Sequence, residues 1–186
     1  YGIDLRYSQN NTIACNNIAS NVNDGLLLYN CTQNVVMCNT LRSNSRNGIY
    51  LQHSFENVLY HNNFINNTNQ VYQYDSSNTW FSNLERPAPK SSQNEGNYWS
   101  DYAGEDTDSD GIGETLLPYQ GVDNYPLMNP WSSHPVAHFT CEPLLKMVNE
   151  TVTFNASGSF DEDGSIVDYT WNFWDGNITT VHDNSI

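Results

Sequence analysis

A repeat of 23 residues, carried by three consecutive blocks, is the feature that most limits what this chain can fold into. The blocks begin at Tyr1, Asp24 and Asn47, and they align without gaps. Apolar residues fill the third, fifth, thirteenth and eighteenth positions of every block. Self-similarity at such a period is typical of solenoids, whose units stack on copies of themselves. Four further columns repeat one residue type: Gly2, Gly25 and Gly48; Asn11, Asn34 and Asn57; Asn16, Asn39 and Asn62; Asn21, Asn44 and Asn67.

The spacing within a block favours strands. Two apolar positions lie two residues apart, which is the strand period, and no stripe recurs at helical spacing. Each short strand directs only one or two side chains inward, so a single block cannot bury a core, whereas stacked blocks can. The repeat therefore predicts a parallel β-helix with 23-residue coils, in which adjacent strands lie about 4.8 Å apart.

The asparagine columns fit the turns of such a coil. Buried turns leave backbone groups that need partners. Asparagine tolerates the left-handed conformation and bonds nearby backbone, and stacked amides can bond along a ladder. A disordered low-complexity tract is the alternative. Aligned Ile, Leu and Val columns have no role in such a tract.

With these "N-x-I" and "GI-x-L" motifs, residues 1–84 resemble the right-handed β-helix family of carbohydrate-binding and sugar-hydrolase repeats. That family includes the periplasmic copper-protein accessory repeats. The resemblance implies an all-β fold, a right-handed parallel β-helix. It says little about function, because the family spans enzymes, binders and surface proteins.

Composition limits the partners. The net charge is -15 with only six Lys and Arg, which argues against nucleic acid and against anionic lipid. No run of 18 apolar residues is present, so we expect no membrane insertion. The chain begins inside a repeat, so we expect it to be a piece of a longer precursor or a mature fragment. Six N-x-S/T sequons fit a secreted glycoprotein, at Asn10, Asn30, Asn66, Asn149, Asn155 and Asn177.

Cys15 and Cys38 lie one repeat apart and so share a column in neighbouring coils. The distance between stacked strands falls within the range that a disulfide accepts. A Cys15–Cys38 bridge is one prediction, and two buried thiols in a ladder are the other.

The segment 85–132 contains "GEDTDSDGIGE", in which Asp106, Asp108 and Asp110 alternate before Gly111. This is the opening of a calcium loop, since calcium takes six to eight oxygen ligands and the glycine permits a sharp turn. The backbone carbonyl of Ile112 is the natural next ligand. A solvated acidic turn is the alternative.

The loop departs from an EF-hand. Its twelfth position is Leu117, where an EF-hand has glutamate. Glu114 or Asp123 could supply the missing ligand. The loop is closer to the short calcium repeats of the dockerin and thrombospondin types.

The whole stretch from Gly96 to Met128 resembles the segment that closes this β-helix family in archaeal surface proteins. We expect a calcium-stabilised cap. Its aromatic residues would cover the unpaired edges of the last coil, and the candidates are Trp99, Tyr102, Tyr119 and Tyr125.

Residues 133–186 form a third predicted region. The motifs "ASGSFDEDGSI" and "YTWNF" resemble a PKD domain, an immunoglobulin-like β-sandwich. The chain stops at Ile186, where such a sandwich would continue with two more strands. We therefore expect an incomplete sandwich with a partly exposed core, completed by further sequence or by strands of a neighbouring chain.

The favoured hypothesis is a non-enzymatic extracellular or cell-surface protein with a structural or adhesive role. Unpaired strands at its ends would pair with other copies or other surface proteins, building a filament or surface layer. Calcium is the expected cofactor.

Polysaccharide binding or degradation is the alternative. A hydrolase needs two carboxylates at a defined separation, and the repeat offers only Asp4, Asp24, Glu56 and Asp75, none sharing a column. A lyase would need a basic residue, for which Arg42 and Arg46 are candidates. We therefore expect no catalytic site.

A copper site would need clustered His and Met. His53 and His61 lie eight apart in one coil and are expected to face different sides. The other histidines, His134, His138 and His182, lie outside the repeat.

Overall fold

The computed structural model describes residues 1–84, 93–132, 135–142, 151–161, 165–173 and 176–182. Regular secondary structure in these residues is all strand, which confirms the predicted all-β class. The chain divides into two compact units, Tyr1–Trp131 and Ser132–Ile186. The predicted cap segment thus belongs to the same unit as the coils. The described residues contain no helix with the length and apolarity that a transmembrane span requires.

The first unit is a parallel β-solenoid of about three turns. Every coil contributes three short strands, and equivalent strands stack in parallel into three sheets. The first sheet has the order β1-β4-β7-β10. The coil strands are β1 (Ile3–Arg6), β2 (Thr12–Ala14), β3 (Asn17–Ala19), β4 (Leu26–Tyr29), β5 (Val35–Met37), β6 (Thr40–Arg42), β7 (Asn47–Gln52), β8 (Phe55–Tyr60), β9 (Asn63–Ile65), β10 (Asn69–Tyr74) and β11 (Ser77–Thr79).

The register confirms the 23-residue period. Each residue of β1 pairs with the residue 23 positions later in β4, and β4 pairs with β7 in the same way. The second and third sheets keep the same offset. The inward columns form one continuous core of Ile3, Leu26 and Ile49; Leu5, Leu28 and Leu51; Ile13, Val36 and Leu59; Ile18, Leu41 and Phe64.

The glycine column exists because neighbouring coils approach too closely for a side chain. A Cβ placed on Gly25 would lie 2.7 Å from the Gly48 carbonyl oxygen and 2.7 Å from Asn44 Nδ2. Both distances are shorter than van der Waals contact permits. Glycine at this position therefore allows the adjacent amide ladder to pack against the backbone.

The prediction that asparagines fill these columns because they adopt the left-handed conformation is wrong. The ladder asparagines are not left-handed, whereas the residues immediately before them are: Asn10, Cys15 and Ser20 have φ of 58°, 55° and 57°. The turn at the preceding residue carries the asparagine side chain inward. There its Nδ2 donates to the carbonyl two residues back, as Asn16 does to Ala14 at 2.8 Å.

A fourth coil follows with an altered register. In β10, Val71 pairs with Ile49, an offset of 22 rather than 23. Its third side comes from much later in the chain: Trp99 in the strand β14 pairs with Phe64 in β9. The strands of this excursion are β12 (Ser82–Leu84), β13 (Gln93–Glu95) and β14 (Tyr98–Trp99), with β12 and β13 antiparallel.

The described residues of the second unit form two antiparallel strand pairs. Trp171 and Ala156 are buried within it, while Phe139 is 60% exposed. The strands are β15 (Thr140–Glu142), β16 (Thr153–Asn155), β17 (Tyr169–Asn172) and β18 (Ile178–Val181).

Candidate functional site

Amide ladders fill the turns of the solenoid. Asn34 is fully buried, and its Oδ1 accepts hydrogen bonds from the backbone N and the Nδ2 of Asn11, both at 2.9 Å. Its own Nδ2 donates to Asn57 Oδ1 at 2.9 Å. The same pattern joins the other two columns. The ladders hydrogen-bond turn groups that would otherwise be buried without partners.

One ladder continues beyond the repeat. Asn62 donates to Asn97 Oδ1 through its backbone N at 3.1 Å and its Nδ2 at 2.9 Å. Asn97 in turn donates to Asp123 Oδ2 through its backbone N at 2.9 Å. A carboxylate only accepts hydrogen bonds, so Asp123 ends the ladder without needing a further acceptor.

Asp123 is also the centre of the cap. It is fully buried, and its Oδ2 accepts a hydrogen bond from Trp99 Nε1 at 2.9 Å. Its Oδ1 accepts one from the backbone N of Tyr125 at 2.9 Å. Burial raises the pKa of the Asp123 carboxyl, although its hydrogen bonds to Tyr125, Trp99 and Asn97 oppose that shift.

The 23-residue period does not predict this role, because Asn97 follows Asn62 by 35 residues and Asp123 follows Asn97 by 26. A local signal was present. The tripeptide Asn97–Trp99 repeats the pattern of asparagine, any residue and a large apolar residue found at Asn62–Phe64.

Three of the four aromatic residues expected in the cap lie in or against the core cluster, namely Trp99, Tyr102 and Tyr119. Trp99 stacks on Phe64 with ring centroids 4.3 Å apart, and Tyr119 stacks on Trp99 at 4.6 Å. Tyr102 packs edge-on against Tyr119 at 6.0 Å. Tyr125 contacts Phe81 at 5.0 Å. Burial raises the pKa of Tyr119, whose hydroxyl donates to Asp101.

A contact between the buried side chains of His61 and Glu95 joins β13 to the third coil. His61 Nε2 lies 2.8 Å from Glu95 Oε2, with side-chain exposures of 2% and 8%. The imidazole stacks on Trp131 with centroids 3.4 Å apart and an interplanar angle of 8°. His53 lies on another side of the coil, where its Nδ1 is 2.8 Å from Asp75. The two histidines therefore have separate surroundings, as expected.

The acidic loop brings its predicted side chains together. One carboxylate oxygen from each of four acids lies within 4.8 Å of the others: Asp106, Asp108, Asp110 and Glu114. Glu114, and not Asp123, thus joins the three aspartates. Backbone donors already shape the loop, since Gly111 N donates to Asp106 at 2.8 Å and Ile112 N to Asp110 at 2.8 Å.

The side chains of this cluster offer only carboxylate oxygens, the donor type that hard cations such as calcium take. Partial burial raises the pKa of Asp110, and repulsion from Asp108, Asp106 and Glu114 adds to that shift. A divalent cation would relieve the repulsion among these carboxylates. The Ile112 carbonyl stays a predicted further ligand.

The predicted disulfide and glycosylation residues lie at the positions that the register and the exposure of the chain give them. The register of β2 and β5 sets Cys15 beside Cys38, and Cys15 N donates to Met37 O at 3.3 Å. The disulfide stays a prediction. Of the sequons, Asn10, Asn66, Asn155 and Asn177 are exposed and Asn30 is half-buried. Asn149 and His134 lie outside the described residues.

The solenoid geometry and the cap agree with a match to a family model over residues 1–104, described as periplasmic copper-binding protein (NosD). The chain belongs to the NosD family. Residues 132–185 match the PKD domain model, so the second unit is a PKD domain. No curated protein and no solved structure matches the chain significantly. The combination of NosD and PKD regions points to an extracellular or periplasmic location.

The described residues do not form a group of ligands suited to the copper that the NosD description names. Copper favours thiolate, thioether and imidazole donors. Across the described residues, the one group of three or more close His, Cys or acidic ligand atoms is the all-carboxylate loop. Met37 Sδ accepts a hydrogen bond from the Tyr60 hydroxyl at 2.9 Å. This NosD-type solenoid therefore does not assemble a multidentate soft site from its described histidines and cysteines.

Proposed function

We propose that this protein is a non-enzymatic structural or adhesive component of the space outside the cytoplasm, stabilised by calcium. The supporting observation is the filled solenoid. Its apolar columns are buried, its turn amides are bonded in ladders, and its end is closed by a cap that continues one ladder. Such an arrangement makes a stiff rod.

The carboxylates of the repeat support a non-catalytic role. Asp4 pairs with Arg6 at 2.7 Å, and Asp75 pairs with His53 at 2.8 Å. Glu56 accepts a hydrogen bond from Gln33 at 3.2 Å. Hydrolysis of a glycoside requires two carboxylates that face one bond, whereas these acids are distributed singly, each with its own partner.

The two arginines considered as lyase bases, Arg42 and Arg46, also contact neighbouring side chains. Arg42 Nε donates to Asn17 Oδ1 at 3.3 Å. Arg46 lies 3.9 Å from the buried Asp24 carboxylate and over the ring of Tyr50. Their guanidinium groups serve as surface contacts in this proposal.

Calcium binding at the acidic loop is the testable part of the proposal. The loop lies against the cap, because Met128 N donates to Gly111 O at 3.0 Å and Gly113 N to Pro126 O at 2.8 Å. A bound cation would therefore stabilise the cap as well as the loop. A ligand that binds only the folded state raises the free energy of unfolding by mass action.

The experiment is a calorimetric calcium titration combined with thermal unfolding in calcium and in EGTA. We expect binding, a higher melting temperature in calcium, and at least tenfold weaker binding in Asp108→Asn. Glu105→Gln is the matched control, since Glu105 is a neighbouring exposed acid outside the cluster. A melting temperature that saturating calcium leaves unchanged would contradict the proposal.

Assembly is the second part of the proposal. We propose that strand edges of this protein pair with other copies or with other surface proteins, because an unpaired strand edge is a template for strand addition. Light scattering with and without EDTA tests this idea. A monodisperse monomer under both conditions would remove the assembly role and leave the rod itself.

A further inference from the structure

The last strands of the three solenoid sheets are protected to different degrees. The third sheet ends in β14, where Tyr98 pairs with Leu127 of the cap and Leu127 N donates to Asn97 O at 2.9 Å. The second sheet ends in β11, which has three residues and a register shift between Ser77 and Thr79. Cover by another segment, short length and irregular register are common ways to prevent a strand edge from pairing with another chain.

The first sheet ends in β10, which has none of these protections in the described part of the chain. Among the described strands β10 pairs with β7 alone. It has six residues, Asn69–Tyr74, and keeps one offset of 22 residues along its pairing with β7. No Asp, Glu, Lys or Arg occurs between Asn62 and Tyr74. A six-residue strand that is uncharged and contains neither Pro nor Gly is typical of segments that pair with further strands.

The backbone groups on the outer side of β10 belong to Val71 and Gln73. Tyr74 O accepts a hydrogen bond from His53 N at 3.1 Å, on the side of β7. Successive residues of a strand direct their N–H and C=O groups to opposite sides, so those of Val71 and Gln73 point away from β7. Gln73 is exposed although it pairs with the buried Leu51. A further strand can therefore approach this end of β10.

Charge makes this edge the favourable place for two copies to meet. The chain carries a net charge of -15, so two copies repel each other over most of their surfaces. The first acid after the uncharged stretch is Asp75, whose carboxylate lies 2.8 Å from His53 Nδ1. The exposed residues before it, Tyr72 to Tyr74, offer aromatic and amide groups without charge.

We propose that β10 of one copy pairs antiparallel with β10 of a second copy, so that the two first sheets become one. This inference rests on the assembly part of the proposed function, and it names the surface and the partner. Each copy contributes the same strand, so the contact is isologous and closes on itself. The product is a dimer, and a filament would require a second contact on another surface.

The sequence of β10 selects the register of this pairing. With the two-fold axis at Tyr72, Val71 of each copy lies opposite Gln73 of the other, so the outward backbone groups bond to one another. The two Tyr72 residues then face each other, with Cα atoms about 4.5 Å apart. Asp75 lies opposite Asn69, and no acid opposes another acid. An axis at Gln73 would instead place the charged Asp75 opposite Val71.

Sedimentation velocity of the whole chain over a range of concentrations is the first test. We expect a dimer whose fraction increases with concentration. Gln73→Pro should weaken dimerisation by roughly tenfold or more, because proline lacks the N–H that bonds the second copy. The Gln73 N–H points away from β7, so this change removes no bond within the sheet. Gln73→Val is the matched control, since valine keeps the N–H and suits a strand, and it should dimerise like the wild type.

Disulfide cross-linking is the second test, and it is independent of the proline variant. Tyr72→Cys should cross-link two copies under mild oxidation, because the Cα separation at the axis lies within the range that a disulfide spans. Tyr74→Cys is the control on the same strand. In this register its two copies are offset by four residues, roughly 13 Å, which is too far for a disulfide. The wild type, which has four cysteines, gives the background.

The outcomes separate this inference from the proposed function. A wild type that stays a monomer at every concentration would overturn both the dimer and the assembly part, and it would leave the calcium part standing. A dimer that Gln73→Pro leaves unchanged, or equal cross-linking of Tyr72→Cys and Tyr74→Cys, would overturn the β10 contact alone and assign assembly to another surface. Thermal unfolding shows that each variant is folded, and the cross-linking pair decides the result if Gln73→Pro does not fold.

Discussion

The coils and the cap of the first unit meet the same physical demand by different means. In the coils, each buried amide finds its partner 23 residues away. In the cap, Asn97 and Asp123 extend the same ladder from distances of 35 and 26 residues. The ladder is buried in both regions beyond its first rung, since Asn39, Asn62, Asn97 and Asp123 are buried whereas Asn16 is exposed.

This difference shows that a residue can have the same structural role inside and outside the repeat. Asn39 Oδ1 accepts two hydrogen bonds from Asn16, and its Nδ2 reaches the carbonyls of Ile13 and Met37. Asn97 matches this pattern outside the repeat: its Oδ1 accepts two hydrogen bonds from Asn62, and its Nδ2 reaches two other carbonyls. Because their surroundings are equivalent, Asn39 and Asn97 should contribute similarly to the free energy of unfolding.

The strongest test of that equivalence is a pair of alanine substitutions, Asn39→Ala and Asn97→Ala. Each leaves several buried donors and acceptors without partners, so each should lower the free energy of unfolding by roughly 3–5 kcal/mol. Urea unfolding followed by tryptophan fluorescence measures both. Asn23→Ala is the control, since Asn23 is exposed in the same solenoid.

If Asn97→Ala costs no more than the Asn23 control, the cap is a loose cover, and its ladder carries little stability. If both ladder variants are equally destabilised, the solenoid extends energetically to Asp123.

A smaller effect is expected from the glycine column, which belongs to the coils alone. Gly25→Ala would place a Cβ 2.7 Å from the Gly48 carbonyl oxygen, and forcing extra volume into packed structure costs about 1–3 kcal/mol. Chemical denaturation measures the loss. A variant as stable as the wild type would show that the coils can separate without disturbing the adjacent amide ladder.

The smallest expected effect distinguishes the cap by its response to pH. The folded-state pKa of Asp123 is raised above 3.8 by burial, so the folded chain holds this proton to higher pH than the unfolded chain does. Its stabilising contribution is complete below the unfolded pKa and is lost as pH rises through the folded pKa. Asp123→Asn removes the titrating group.

Urea unfolding of wild type and Asp123→Asn between about pH 3 and pH 8 isolates this contribution. The stability of the wild type relative to the variant should decrease as pH rises. A difference that is constant with pH, or that grows with it, would contradict the raised pKa of Asp123.

The fold of the coils could be predicted because stacked strands require a register, and the spacing of Gly, Asn and aliphatic residues indicates that register. The fourth coil was harder to predict from the sequence. Its offset falls to 22 at Val71 and to 21 at Thr79, and its third strand arrives from Tyr98 and Trp99. A search for a fixed period cannot detect a strand of a coil that comes from a distant segment of the chain.

The candidate site divides in the same way. Alternating aspartates predicted the acidic loop, because side chains so close in sequence must converge when the backbone turns. The choice of Glu114 over Asp123 required the fold. Only the fold buries Asp123 beneath Trp99 and brings it to Asn97.

By itself, the sequence determined the architecture of the coils: like residues at equal spacing pack over one another, and a chain with that spacing has few other ways to bury its apolar side chains. Tertiary structure alone decided which side chains cover the last coil and that Asp123 ends an amide ladder. Those outcomes depend on contacts between residues whose separation along the chain follows no period.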